Sequence, residues 1–457
     1  MKISLQILKQ ILSDAEFHDV QGDEEFEICD IAYLKDFDKF PLGVKILYFL
    51  VYEDNPEILG WYNKPFDRSR NLARLREFKN LVFVADSRVN DEQLSGCPHI
   101  RVNNIYQTID VIRRHILSGA SPTVVGMTGS VGKTTGTALV ESILSQKFSC
   151  GRIYSKRLTP LTLSSWLVNF LLPSHQILAL EYSMYRKHHI GNLIELLRPN
   201  ISVFLNIKNV HLGVEGINTL QDILEGKAPL VKRSDLGILN ADNPLILSLK
   251  RKDDLIFSCE NSKADAFVRS DGIFSYLYLN HTNEVLSFVP YIKTKLFYYQ
   301  VAAAGLVGSV LGVSASDISN AINHFVPAEN RIRWIKVLEK DVLFDGDVTN
   351  SGRLIALSEH DYPTSLLLIH SFNFGEGDTG LQIDGLMQAL SSFTEVRFLD
   401  TPENREIVSR CSFEKVSFSL QYELFAGLEY FEFRVFHFAM YYRLHKDMQH
   451  LVDFIRS

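Results

Sequence analysis

The stretch "TVVGMTGSVGKTTGTALVESIL" (residues 123–144) constrains the fold of this chain more than any other. An apolar, β-branched run passes through a glycine-rich turn into a helical pattern with Val140, Ile143 and Leu144 on one face. A buried strand feeding a helix in this way belongs to a parallel sheet, whose crossover helices cover its faces. The turn holds Thr128, Gly129, Ser130, Gly132, Lys133, Thr134 and Thr135. Glycines let backbone N–H groups turn inward onto phosphate oxygens, and the helix N-terminus adds partial positive charge. Lys133 then reaches the β- and γ-phosphates, and the Thr134 hydroxyl offers a ligand to Mg²⁺. The strict pattern G-x-x-x-x-G-K-[ST] is not met. Met127 stands where the first glycine belongs, and Gly126 comes one residue early.

Strand–helix alternation continues on both sides of this loop. "NLVFVADS" (residues 80–87) reads as a buried strand, "TIDVIRRHIL" as the closing helix of a first region, and "SGASP" (residues 118–122) as a breaker-rich linker. "ILALEYS", "ISVFLNI" and "LGILN" then repeat the buried-strand pattern, with "IGNLIELL" as a helix between them. Residues 266–291 alternate and carry turn signals, which predicts a small antiparallel insert. After "VPAENR" (residues 326–331) a second series follows: "SLLLIHS", "EVRFLD", "KVSFSL" and "RVFHFAM" as strands, and a last helix "YYRLHKDMQHLVDFIRS". The expectation is an α/β chain of three domains. A smaller N-terminal α/β domain (1–118) precedes a central parallel-sheet domain with the phosphate loop (119–326) and a doubly wound, Rossmann-like C-terminal domain (327–457).

Composition narrows the class. The net charge of -7 advertises no nucleic-acid partner, and no run of about 18 apolar residues suggests a membrane span. Five scattered cysteines without a C-x-x-C pair fit reduced thiols in a cytoplasm. The N-terminus does not read as a signal peptide. A cytoplasmic monomer is the expected state.

Alone, Glu181 at a strand end is a magnesium ligand or a loop cap, His211 a packed or surface histidine, and Lys227 a surface lysine. Their order along the chain adds more. "GMTGSVGKTT" resembles the loop of the Mur ligase family, ATP-dependent enzymes that join an acid to an amine. "LALEYS" resembles the strand whose glutamate holds Mg²⁺ in that family, here Glu181. "RPNISVFLNIKNVHLG" resembles the segment that supplies Asn206 and His211, and "TLQDILEGKAPLV" the helix whose lysine is carbamylated, here Lys227. "GILNADNP", "ENRIRWI" and "LFDGDVTNSG" resemble later motifs, giving Arg331 and Asp345 as residues near the transferred phosphate and the nucleotide. "HLGVEGINTL" and "TPLTLSSWL" are most similar to the D-alanyl-D-alanine-adding branch.

The resemblance implies ATP, one or two Mg²⁺ held by Thr134, Glu181, His211 and a carbamylated Lys227, and small-molecule or peptide acid and amine substrates. It implies catalytic roles for Lys133, Glu181, His211, Lys227 and Arg331. Departures accompany it. In "LFYYQVAAAG", Phe297 and Gln300 replace the family's asparagines, so that Phe297 either stacks on adenine or joins the helix core. The N-terminal region is expected to lack the D-S-R and D-G-H-x-F segments of the similar enzymes. The leading expectation is therefore an amide-forming ligase with a non-standard substrate. A divergent D-alanyl-D-alanine-adding ligase and a nucleotide-responsive binding module without ligase activity are the alternatives.

Overall fold

The computed structural model describes residues 2–21, 25–28, 44–55, 65–152, 158–184, 186–209, 212–214, 216–327, 332–337, 340–345, 351–369, 379–411, 416–420 and 423–437. The chain forms two compact units: residues 1–125, 148–185 and 189–199 in the first, and 126–147, 186–188 and 200–457 in the second.

In the first unit a six-stranded sheet runs in the order Lys2–Ser4, Glu25–Ile28, Lys45–Phe49, Leu81–Ala85, His99–Arg101, Glu16–His18. Its inner pairings are parallel and its two outermost are antiparallel. Leu81–Ala85 is buried along its whole length, as expected of a strand covered on both faces. Its outward face packs Phe83 with Tyr48, Leu72, Leu75 and Leu94. The same unit holds the parallel pair Cys150–Arg152 and Ile177–Glu181. The helix Ile105–Ala120 starts at Asn104, whose side chain accepts from Tyr106 and Gln107 N–H. It runs through Ser118, Gly119 and Ala120, so the expected linker is largely the last turn of this helix. Ser121, left-handed at φ 43°, ends it.

In the second unit, strands Ile201–Phe204, Leu236–Asn240, Leu255–Ser258 and Ala266–Ser270 run parallel. Ser275–Leu279 and Glu284–Phe288 then extend the sheet antiparallel, which is the predicted insert. Alternating burial in these last two strands leaves one face wet. The helix Lys295–Val310 is buried from Phe297 through Gly308 and threads the core. A further six-stranded sheet follows in the order Arg333–Val337, Lys340–Asp345, Phe433–His437, Ser365–Ile369, Glu395–Leu399, Val416–Ser419. All four strands expected there form, and all its pairings but the first are parallel. The fold class is thus α/β with largely parallel sheets. The expected last helix lies outside the described residues.

At the edge of the first sheet, His18 and His99 stand opposite each other, with ring centroids 4.5 Å apart. Burial, and then the nearby His18 and Arg101, hold the His99 imidazolium below its ordinary value of 6.5, against the Cys97 carbonyl, which favours it. A histidine pKa lowered by folding means that the unfolded chain binds the proton first. Its contribution is therefore complete above about pH 6.5 and is lost as the pH falls through the folded value. We expect His99→Gln to flatten the fall of the urea midpoint between about pH 7 and pH 5; an unchanged slope contradicts this.

Candidate phosphate site

The strand Thr123–Thr128 ends in the loop, and the helix Lys133–Leu144 begins at Gly132. Gly132 has φ +82°, and a Cβ there would lie 2.7 Å from Gln300 Nε2. Only glycine meets both conditions without strain. At Gly129 a Cβ would lie 3.1 Å from Leu205 Cβ, so the loop sits hard against the end of the neighbouring strand.

Asn206 fastens the loop from that strand end. Its Oδ1 accepts from the N–H groups of Ser130 (3.1 Å) and Val131 (3.0 Å), and its Nδ2 donates to the Val131 carbonyl (3.0 Å). The side chain is 3% exposed. A buried amide that is satisfied in this way specifies one loop conformation, because any other leaves polar groups without partners. The Ser130 hydroxyl accepts from Lys208 N–H (3.0 Å) and donates to the Lys208 carbonyl (3.3 Å). Asn240, at the end of the next strand, donates to the Leu205 carbonyl (2.7 Å) and steadies the strand end from behind.

Two cations meet the same carbonyl. Lys133 Nζ donates to Gly129 O (3.0 Å) and Ser130 O (3.4 Å), and Lys227 Nζ donates to Gly129 O (3.1 Å). Lys227 is buried at 3% exposure on the helix Leu220–Arg233, so it is not a surface lysine. That helix is placed by a reciprocal cap between Thr219 and Asp222, and Lys187 pairs with both Asp222 (3.1 Å) and Glu225 (2.7 Å). Thr134 and Thr135 stand half-buried in the first turn of the loop's helix, next to Lys133.

Other expected residues separate by position. Glu181, in the first unit, ends its strand as a buried carboxylate, and its Oε1 accepts from the Ser183 hydroxyl (3.0 Å). Phe297 is 1% exposed and its ring centroid lies 6.4 Å from that of Phe325, which puts it in the helix core. Asp345 ends the strand Lys340–Asp345. His211 and Arg331 lie outside the described residues. The adjacent histidines of "KHHIG" (residues 187–191) divide. His188 is exposed, whereas His189 is 2% exposed, with Nε2 2.7 Å from the Leu158 carbonyl. Adjacent positions on a helix start face different ways, and one of them faces inward.

The sequence reading missed Gln300 as a structural partner of the loop. Its Nε2 donates to the Gly132 carbonyl (2.8 Å) from a 3% exposed position. The D-S-R segment expected to be absent is present, as Asp86-Ser87-Arg88 at a strand end of the first unit. There Arg88 Nε bridges both Asp86 carboxylate oxygens (2.9 and 3.1 Å), which holds that carboxyl below its ordinary range in spite of burial. Only the residue types flagged that pair, since no periodicity marks it. Burial raises the Cys259 thiol well above its usual value, which disfavours the thiolate. Among the described residues no helix is long and apolar enough to cross a membrane, and no three His, Cys, Asp or Glu side chains gather as a metal cluster.

Asn206→Ala is expected to cost about 1–3 kcal/mol in urea unfolding, since it leaves buried loop groups unsatisfied. Gly132→Ala is expected to cost about 1–2 kcal/mol for the left-handed backbone alone. Losses below about 0.5 kcal/mol for both, the range of a neutral surface change, contradict the description of a fastened loop.

Comparison with known proteins agrees with this geometry. Residues 127–294 match the Mur ligase middle domain. A UDP-N-acetylmuramoylalanine--D-glutamate ligase of Streptococcus equi subsp. zooepidemicus is 25% identical over 290 residues, covering 62% of this chain and 60% of that protein. A UDP-N-acetylmuramoyl-tripeptide--D-alanyl-D-alanine ligase of Synechocystis sp. is 26% identical over 171 residues, covering 36% and 37%. The chain thus spans 60% or less of the length of these curated relatives. The structure of MurF from Acinetobacter baumannii superposes with a TM-score of 0.74 at 16% identity, covering 100% of this chain and 99% of that one, and so shares its fold. The loop, its asparagine fastening and the matched family model agree in identifying residues 127–294 as similar to a Mur ligase middle domain.

Proposed function

We propose that this chain is an ATP-dependent ligase that activates a carboxylate as an acyl phosphate and joins it to an amine. The observation that carries this reading is the loop Thr128–Thr135, fastened by Asn206, with Lys133 at its helix start. Loop N–H groups and the helix N-terminus would bind the phosphates, and the Lys133 ammonium would turn from the loop carbonyls to the β- and γ-phosphates. A carboxylate is a poor acyl donor, because oxide leaves badly. Transfer of the γ-phosphoryl group to a carboxylate oxygen releases ADP and gives a mixed anhydride. The amine nitrogen then attacks the acyl carbon. The tetrahedral intermediate expels phosphate, which carries that oxygen away, and the nitrogen loses a proton. Lys133 and Arg331 would stabilise the charge on the transferring phosphoryl group, and Asp345 would orient the nucleotide.

The family's Mg²⁺ suits the residue types here. Magnesium takes hydroxyl and carboxylate oxygens, and the resemblance would assign Thr134, Glu181 and His211 to it. When bound, Mg²⁺ would neutralise phosphate charge. Carbamylation of Lys227 would convert its buried cation into an anion able to join that ligand set, and its burial beside the loop supports a role at this site.

The relatives' names carry different amines, D-glutamate and D-alanyl-D-alanine, so they do not choose the substrate. Phe297 in place of the usual asparagine and the absent D-G-H-x-F segment favour a substrate other than the standard one. The full-length match to a MurF fold favours, as a second reading, the D-alanyl-D-alanine-adding reaction in a divergent lineage.

A phosphate-release screen with ATP against UDP-muramoyl peptides, amino acids and dipeptides separates these readings. Stimulation by a UDP-muramoyl tripeptide with D-alanyl-D-alanine supports the second, and stimulation only by other pairs supports the first. ATP binding with no release for any pair supports a binding module. Lys133→Ala is expected to lower turnover at least about 100-fold, on the scale of a lost transition-state donor, with an unchanged unfolding midpoint. Lys227→Ala is expected to lose activity and regain part of it with added short carboxylic acids; no rescue sets the carbamate aside.

A further inference from the structure

We propose that Lys208 is a positioning residue that makes the setting of the phosphate loop depend on the seating of the Glu359 segment; this rests on the reading of the loop as a nucleotide site. The bonds around the loop close into a ring. Ser130, inside the loop, exchanges two hydrogen bonds with the Lys208 backbone through its hydroxyl. The Lys208 ammonium pairs with the Glu359 carboxylate. The Glu359 carbonyl accepts from Lys295 N–H (2.8 Å), at the first turn of the helix Lys295–Val310. One turn on, Gln300 of that helix donates to Gly132 O, on the other side of the same loop. The adjoining backbone repeats the attachment. Thr294 and His360 form an antiparallel bridge, and Asp361 N–H donates to the Lys293 carbonyl (3.0 Å).

Every link in this ring engages a backbone group except one, the side-chain pair. Lys208 and Glu359 carry opposite formal charges and are 25% and 32% exposed. Such a pair adds little to global stability and is weakened by salt. It is therefore the link whose strength can change without unfolding the chain. Because Lys208 holds Ser130 through its main chain and Glu359 through its side chain, losing the pair opens the ring: each side of the loop keeps its own bonds, but the two are no longer tied to one another. Two sites that bias one arrangement affect each other's binding reciprocally.

Two variants remove the charge and keep the rest of the ring. Lys208→Met leaves both backbone bonds to Ser130, and Glu359→Gln leaves the carbonyl that Lys295 uses. The measurement is calorimetric titration of the full chain with ADP and magnesium, beside the urea unfolding midpoint. We expect each variant to weaken ADP binding about fivefold, and the double variant to be no weaker than either alone. The exchanged pair Lys208→Glu with Glu359→Lys is expected to recover most of the loss, and unfolding midpoints are expected to stay near the parent's.

Simple electrostatics at an anion site predicts opposite signs, weaker binding without the lysine and tighter binding without the glutamate. Opposite signs, additive losses or no recovery on exchange overturn the proposal while leaving the nucleotide site standing. If a single variant fails to fold, the exchanged pair decides alone. Absence of ADP binding by the parent overturns both this proposal and the proposed function.

Discussion

The amide of Asn206 is the fastening on which the rest of the site depends. It reaches from the end of one parallel strand into the loop that ends the neighbouring strand, and there it satisfies two N–H groups and one carbonyl. Those groups are buried at Ser130 and half-buried at Val131, so arrangements that leave them unpaired are costly. A loop fixed before its ligand arrives does not lose conformational freedom on binding, and more of the contact energy is left for affinity. Glycine at 132 supplies the backbone angle that starts the helix, and Gln300 closes the far side.

Two lysines from different helices meet at the loop. Lys133 and Lys227 converge on one carbonyl oxygen, which brings their two amines to the same point of the loop. Lys227 lies where burial penalises a charge, and a helix with both a reciprocal cap and an ion-paired first turn brings it there. This arrangement suits phosphoryl chemistry, in which a protein contributes position and charge more than covalent steps.

What was legible in the sequence was local. The strand–loop–helix unit, the fully apolar strands and the alternating insert all follow from periodicity within a few residues, and they form as expected. Pairings across long separations were not legible. The Gln300–Gly132 bond spans 168 positions, and Lys208–Glu359 spans 151. Phe297 and Gln300 looked like two losses from a family motif. In the structure the ring at 297 fills the core against Phe325, and the amide one turn later grips the loop. Burial likewise separated His189 from His188, a distinction that no composition rule carries. The helix that runs through Ser118–Ala120 shows the reverse error, where breaker residues were tolerated because Ser121 takes the left-handed cap.

The central claim is that the Asn206-fastened loop is a preformed phosphate cradle. The most direct measurement is amide hydrogen exchange of the full chain, with and without ATP and magnesium. The account predicts added protection at residues 129–135, with the already bonded segment 204–208 slow in both states. Unchanged exchange across 129–135 at saturating ATP, or protection that arises only elsewhere in the chain, would contradict it.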